Sequence, residues 1–265
     1  MKKMKNVLMK IVITSFALVM VFNFQSIIAQ DENDAITVYM YRRAEQGKMN
    51  EIIERETKYW SKVAQKDIDD GRLLFWAVLT KVGGIDLEQS SDILIVNTYA
   101  DIDDMEGMWD ASAVFPDVPM EDMETSSMFT TTSVLFLQDR SWEQKEAVNP
   151  MEDFKYVGMV YHNADSPNAF IAAEQELWGP FIKSLMDNGK VSQTGWGNAI
   201  ILSPTGDEVK YNTVSYDFYP SLKEALNPTW AEDIEAPDMT RLGETEGNNR
   251  RATAIYQFVM SLSAN

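Results

Sequence analysis

Glu54 to Gly71 reads ERETKYWSKVAQKDIDDG, and Ala172 to Gly189 reads AAEQELWGPFIKSLMDNG. The two stretches align without a gap. Glu56 meets Glu174, Trp60 meets Trp178, Asp69 meets Asp187 and Gly71 meets Gly189. Each reads as a helix with an apolar stripe, closed by a glycine where the chain needs a left-handed residue. The pairing predicts two copies of one unit, the first over residues 30–145 and the second over 146–265.

The elements around the two helices recur in the same order. Strands are expected over Ile36–Arg42, Arg72–Lys81, Asp92–Ala100 and Thr130–Gln138, each rich in β-branched and aromatic residues. A helix is expected over Lys48–Asp70, and a second over Asp101–Asp110. Gly83-Gly84 opens a turn. Asp139–Asp153 is polar, contains Pro150, and reads as the connection between units. The second unit predicts strands at Lys155–His162, Val191–Leu202, Val209–Phe218 and Arg250–Leu262. Its long helix spans Ser166–Asn188, where Pro180 should kink or split it, and a shorter helical region begins near Ser221. Tyr99 lines up with Tyr216, and Arg43 lies near the place matching His162.

This βαββαβ order, twice over, resembles the dimeric α/β-barrel superfamily of ferredoxin-like proteins in its fused, tandem form. The resemblance rests on Ile36–Gln138, on Lys155–Leu262 and on the Glu-x-x-x-Trp helix ending in glycine. It implies an α+β fold of two units pairing as an α/β barrel, with two four-stranded sheets face to face and helices outside. It also implies a pocket between sheet and helices in each half. The superfamily includes cofactor-free monooxygenases, haem-handling proteins and members without known activity, and fold alone does not choose among them.

Composition narrows the classes. The 265 residues carry a formal charge of −18, with 23 Lys+Arg against 41 Asp+Glu. Nucleic acid is an unsuitable partner, because binding it takes basic patches that meet phosphates. There is no Cys, so neither a disulfide framework nor a thiolate zinc site can form. Lys2, Lys3, Lys5 and Lys10 precede an apolar run from Ile11 to Phe24, and Ala29 offers a small residue for cleavage. Residues 1–29 therefore read as a secretory signal peptide, and the run is short for a span of ~20 residues. The expectation is an extracytoplasmic protein, free of the membrane after cleavage, either monomer or homodimer. No residue pattern calls for a metal or a cofactor.

The candidate chemistry centres on Glu56 and Glu174, each interrupting an apolar stripe. A carboxylate in apolar surroundings has a raised pKa and can act as an acid or base. Two readings stand open: a catalytic pocket carboxylate, or one at the edge of the face that reaches water or is paired to Arg42, Arg43 or Lys155. The two glutamates should lie too far apart to share a bond. They sit on opposite outer faces of sheets spaced ~10 Å apart, whereas paired acid/base carboxylates sit ~5–9.5 Å apart. Trp60, Trp178, Trp196, Tyr99 and Tyr216 are candidates to line a ligand pocket, with core packing as the alternative. His162, the one histidine, is either a haem or proton-transfer residue or a strand-end rim residue. The expected function is binding of a small molecule in an aromatic pocket. The alternatives are a cofactor-independent monooxygenase-like enzyme with a glutamate base, and a haem-binding protein.

Overall fold

The computed structural model describes residues 35–84, 90–105, 107–206, 209–246 and 252–264. The proposed signal peptide lies outside them. Among the described residues, no helix is long and apolar enough to cross a membrane.

In chain order the first half gives β1 (Ile36–Ala44), α1 (Met49–Arg55), a π-helical segment (Glu56–Trp60), α2 (Ser61–Asp69), β2 (Leu73–Gly84) and β3 (Ile93–Tyr99). A 3-10 turn (Ile102–Met105), α3 (Ala111–Val114), α4 (Met120–Met123), a second 3-10 turn (Ser126–Met128) and β4 (Phe129–Gln144) follow. The second half gives α5 (Pro150–Asp153), β5 (Tyr156–His162), α6 (Pro167–Ala173), a π-helical segment (Glu174–Trp178) and α7 (Gly179–Asp187). It ends with β6 (Gly195–Ser203), β7 (Thr213–Tyr219), α8 (Leu222–Leu226), α9 (Thr240–Thr245) and β8 (Ala252–Ser263).

The eight strands form one closed antiparallel barrel in the order β1-β3-β2-β8-β5-β7-β6-β4. Within it, β4-β1-β3-β2 and β8-β5-β7-β6 are two ferredoxin-like sheets. The two sheets face each other across the lumen, as expected, with inward residues of both in one core. They also join edge to edge, through β2–β8 and β4–β6, and this closure removes the unpaired strand edges that an open sheet would leave. Alternate residues therefore point into the lumen or out toward the helices. Tyr39, Leu79, Val96, Leu137, Met159, Ala199, Tyr216 and Tyr256 belong to the lumen core. Val38, Trp76, Ile93, Ile95 and Tyr99 face outward beneath α1 and α2, with Ile52, Ala64 and Ile68. Trp196 and Ile200 face outward in the second half, beneath α7 and α6 respectively.

Both long helices end as expected. Gly71 and Gly189 have φ of +75° and +62°, the left-handed conformation that a helix-closing glycine adopts without steric cost. Both helices are also interrupted by a five-residue π segment that starts at the glutamate and ends at the tryptophan. Pro180 is not the common cause, because the first helix has Lys62 at the matching place and divides in the same way.

Other departures have local reasons. Among the described residues of 101–110 only Ile102–Met105 is helical, as a 3-10 turn, and Trp109 takes a φ of 64°. Strand β4 continues through Asp139 to Gln144, so the expected connection begins as sheet; polar residues on a barrel strand hid it. Gly83-Gly84 ends β2, and most of the turn expected after it lies outside the described residues. Val191 makes an isolated bridge to Trp230, and its strand starts only at Gly195. Residues 209–212 of the expected strand are not strand, and β7 begins at Thr213.

The candidate site: a lumen cavity above a buried carboxylate

One end of the barrel lumen holds a cavity of about 120 Å³, against the roughly 10–15 Å³ that a single water needs. Trp142, Phe154, Tyr216, Phe218 and Phe258 supply aromatic wall. Their rings touch in a chain, with Trp142 to Phe218 and Phe154 to Phe218 both 5.0 Å between centroids, and Phe218 to Phe258 stacked at 6.0 Å. Phe75, Trp142 and Phe258 are only half-buried and mark the more open end.

The polar end is Asp139. Its Oδ2 accepts a hydrogen bond from Thr37 Oγ1 at 2.5 Å, and its Oδ1 accepts one from the Tyr216 hydroxyl at 2.6 Å. Thr37 Oγ1 lies 2.9 Å from Thr98 Oγ1, so the network crosses β4, β1 and β3 as well as β7. Burial pushes the Asp139 carboxyl above its ordinary value, opposed in part by these two hydroxyl donors. Burial, with Asp139 beside them, likewise raises the Tyr39 and Tyr216 phenols. Gly197 makes room for the Tyr216 ring. A Cβ at position 197 would lie 2.3 Å from Tyr216 Cε2 and 2.8 Å from the Ser141 carbonyl oxygen.

Of the aromatic candidates from the sequence, Tyr216 alone is among the residues lining this cavity. Tyr99 points outward, so it is not the counterpart of Tyr216. The strand register pairs Ile36 with Tyr99 and Tyr156 with Tyr219, which makes Tyr219 the match. Trp60 donates its indole N–H to the Met123 carbonyl and packs outside the barrel. Trp178 packs on Phe181 and Trp230. Trp196 is core beneath α7.

The same register matches His162 to Arg42 rather than Arg43, since Arg42 pairs with Ile93 and His162 with Thr213. Arg42 Nη1 donates to Glu56 Oε1 at 3.1 Å, and Thr125 Oγ1 donates to the same oxygen at 3.0 Å. Of the two readings of Glu56, the paired carboxylate is the one observed. His162 is buried instead against the Phe170 ring, with Nδ1 3.3 Å from Glu246 Oε1.

Among the described residues, no arginine pairs with Glu174. Asn198 Nδ2 donates to its Oε2 at 2.8 Å, and Ser215 Oγ donates to its Oε1 at 2.8 Å. Burial raises its carboxyl to about 7, with Asn198 and Ser215 opposing. Asp217 is also pushed up to about 7 by burial, opposed by a Gln193 hydrogen bond. Each glutamate opens its π segment and points inward, four residues after a buried apolar residue, Ile52 or Phe170. Glu56 and Glu174 sit under different helices against different strands and form no pair.

Asp139 was missed in the sequence because it was read as linker. A usable signal was present: Leu135, Leu137 and Asp139 alternate, so the strand pattern extends to an inward carboxylate.

No family model matches the chain, and no curated protein matches it. Solved structures do. An anthrone oxidase-like protein superposes at a TM-score of 0.51 with 16% identity, over 89% of this chain and 95% of that one. A candidate monooxygenase from Lactobacillus acidophilus NCFM superposes at 0.54 with 11% identity, over 88% and 97%. The likeness shows the fold, that of dimeric α/β-barrel, ferredoxin-like proteins, and nothing further at these identities.

Proposed function

We propose that the protein binds a small, mainly apolar molecule in the barrel lumen, with Asp139 and its hydroxyl partners orienting one polar group. The observation carrying this reading is the aromatic cavity closed by a buried carboxylate. Ligand sites have this make-up: apolar walls with a few placed polar groups. The test is calorimetric titration with indole, alongside the Val157→Phe variant, which fills the cavity from its wall. Saturable binding weakened by about tenfold or more, a loss of ~1.4 kcal/mol, is expected in the variant. No saturable binding to the native protein, or equal binding by both, would count against the reading.

A second reading has its own observation. Glu174, with a carboxyl near 7, holds a proton ready for exchange at neutral pH. Such a group suits a general base of the kind cofactor-independent monooxygenases use, and turnover lost in Glu174→Gln with indole binding intact would favour it.

The chain is further proposed to be a duplicated unit and to be exported. The matched glutamate–tryptophan π segments and identical strand orders support duplication. The basic start and apolar run support export, and removal of residues 1–29 leaves 19 basic against 41 acidic residues. N-terminal sequencing of secreted protein should begin near Gln30; a start at Met1 would argue against cleavage.

A further inference from the structure

We infer that the lumen cavity takes a cationic amine, an organic ammonium whose charge meets Asp139 and whose apolar body lies against Trp142, Phe154 and Phe218. This rests on the lumen-binding reading and narrows it to one chemical class.

Three observations point the same way. Asp139 is an acid without a counter-ion. Among the described residues its hydrogen-bond partners are two neutral hydroxyls, and no lysine or arginine stands beside it. An unpaired carboxylate is expensive to bury, so it either takes up a proton or waits for a cation. The same contrast is visible elsewhere in this fold, where the buried Glu56 has its own Arg42.

The second observation is the wall. Trp142, Phe154 and Phe218 stand at near-perpendicular or tilted angles to one another, at 87°, 73° and 55°. A cluster of this kind presents ring faces in several directions, and the negative face of an aromatic ring attracts a cation. A carboxylate with aromatic faces is a donor set for ammonium rather than for an anion, which Asp139 would repel. Among the described residues, Asp139 is also the sole charged one of the lining.

The third is the field. A chain of formal charge −18 raises the local concentration of cations around it.

The pH dependence follows from the groups that face Asp139. Those are Thr37 and Tyr39 on β1, Thr98 on β3 and Tyr216 on β7. None carries charge at neutral pH, since burial holds both phenols above their ordinary values. Asp139 is therefore the group that titrates. An ammonium favours its carboxylate form, so affinity should rise as pH rises through the elevated Asp139 value, and binding below that value should release a proton.

The experiment is a charge series on the intact protein: 2-phenylethylammonium, 2-phenylethanol and phenylacetate, titrated by calorimetry at pH 5 and pH 8. At pH 8 the ammonium should bind about tenfold or more tighter than the alcohol, with the acid weakest. Asp139→Asn, close in size, should remove that preference for the ammonium over the alcohol at pH 8. The charge series on native protein needs no variant, so a poorly folding Asp139→Asn leaves the test intact. Alcohol equal to or tighter than ammonium at pH 8 overturns the inference. If indole still binds and is lost in Val157→Phe, the lumen reading survives that failure. If indole and all three probes fail to bind, both fall.

Discussion

Arg42→Met is expected to cost about 3–5 kcal/mol of folding stability at pH 7.5, the range for a buried ion pair that loses one partner. Arg42 and Glu56 are both largely withdrawn from water, with side chains 15% and 5% exposed. Their desolvation is visible in each partner: burial lowers the arginine and raises the glutamate, and their mutual attraction only partly offsets it. The pair is thus no large net gain, but half of it is a liability. Methionine keeps much of the stem and removes the charge, together with the guanidinium that lies over the Phe129 ring. Glu56 then keeps the Thr125 hydrogen bond alone. The folded carboxyl is already raised, so its contribution to stability is full below the ordinary carboxyl value and is lost as pH rises through the folded value. Without Arg42 the folded value climbs further, and the loss at neutral pH grows. Urea unfolding of both proteins at pH 7.5 and pH 4.5 measures this. The deficit should shrink in acid, and Arg42→Met combined with Glu56→Gln should recover most of it at pH 7.5. A deficit below about 0.5 kcal/mol, or one independent of pH, would mean that Glu56 reaches water or another cation.

The fold was legible because its signals are local and periodic. Strand composition, the two Gly-closed helices and their common order are enough to give two ferredoxin-like units and a barrel. What escaped was set by contacts between elements. Which face of β7 points inward depends on register, so Tyr216 was matched to Tyr99 when it belongs to the lumen and Tyr99 to the helix side. The π segments are invisible to a 3.6-residue period. Asp139 was hidden by its polar neighbours: Arg140, Glu143 and Gln144 look like linker until β6 is seen to pair alongside them. The site was therefore sought between helix and sheet, where the aromatic residues are core, while the cavity lies on the other side of the same strands.

Glu174→Gln is expected to stabilise the protein by about 1–3 kcal/mol at pH 8 and to change little at pH 4.5. Glu174 is 5% exposed, and its folded carboxyl stands at about 7 against an ordinary 4.5. The folded state therefore holds the proton more tightly than the unfolded chain does. Stability from this group is full below pH 4.5 and drains away as pH climbs through 7, by ~1.4 kcal/mol for each pH unit that separates the folded and ordinary values. Asn198 and Ser215 soften the cost without cancelling it, because neither brings a charge. An amide at this position keeps the volume and stays neutral at every pH. Its N–H group can also donate to Asn198 Oδ1, which has no hydrogen-bond partner. Asp217 titrates in the same range and adds its own slope to the native protein. The difference between native and Glu174→Gln isolates Glu174, because Asp217 is present in both. Denaturant unfolding at pH 4.5, 6 and 8 should show the two curves together in acid and diverging through pH 7. A variant less stable than native at pH 8 would mean that the carboxylate is held charged by a partner, and equality at all three values would mean that it is solvated. Either result would also end the case for Glu174 as a base tuned by burial.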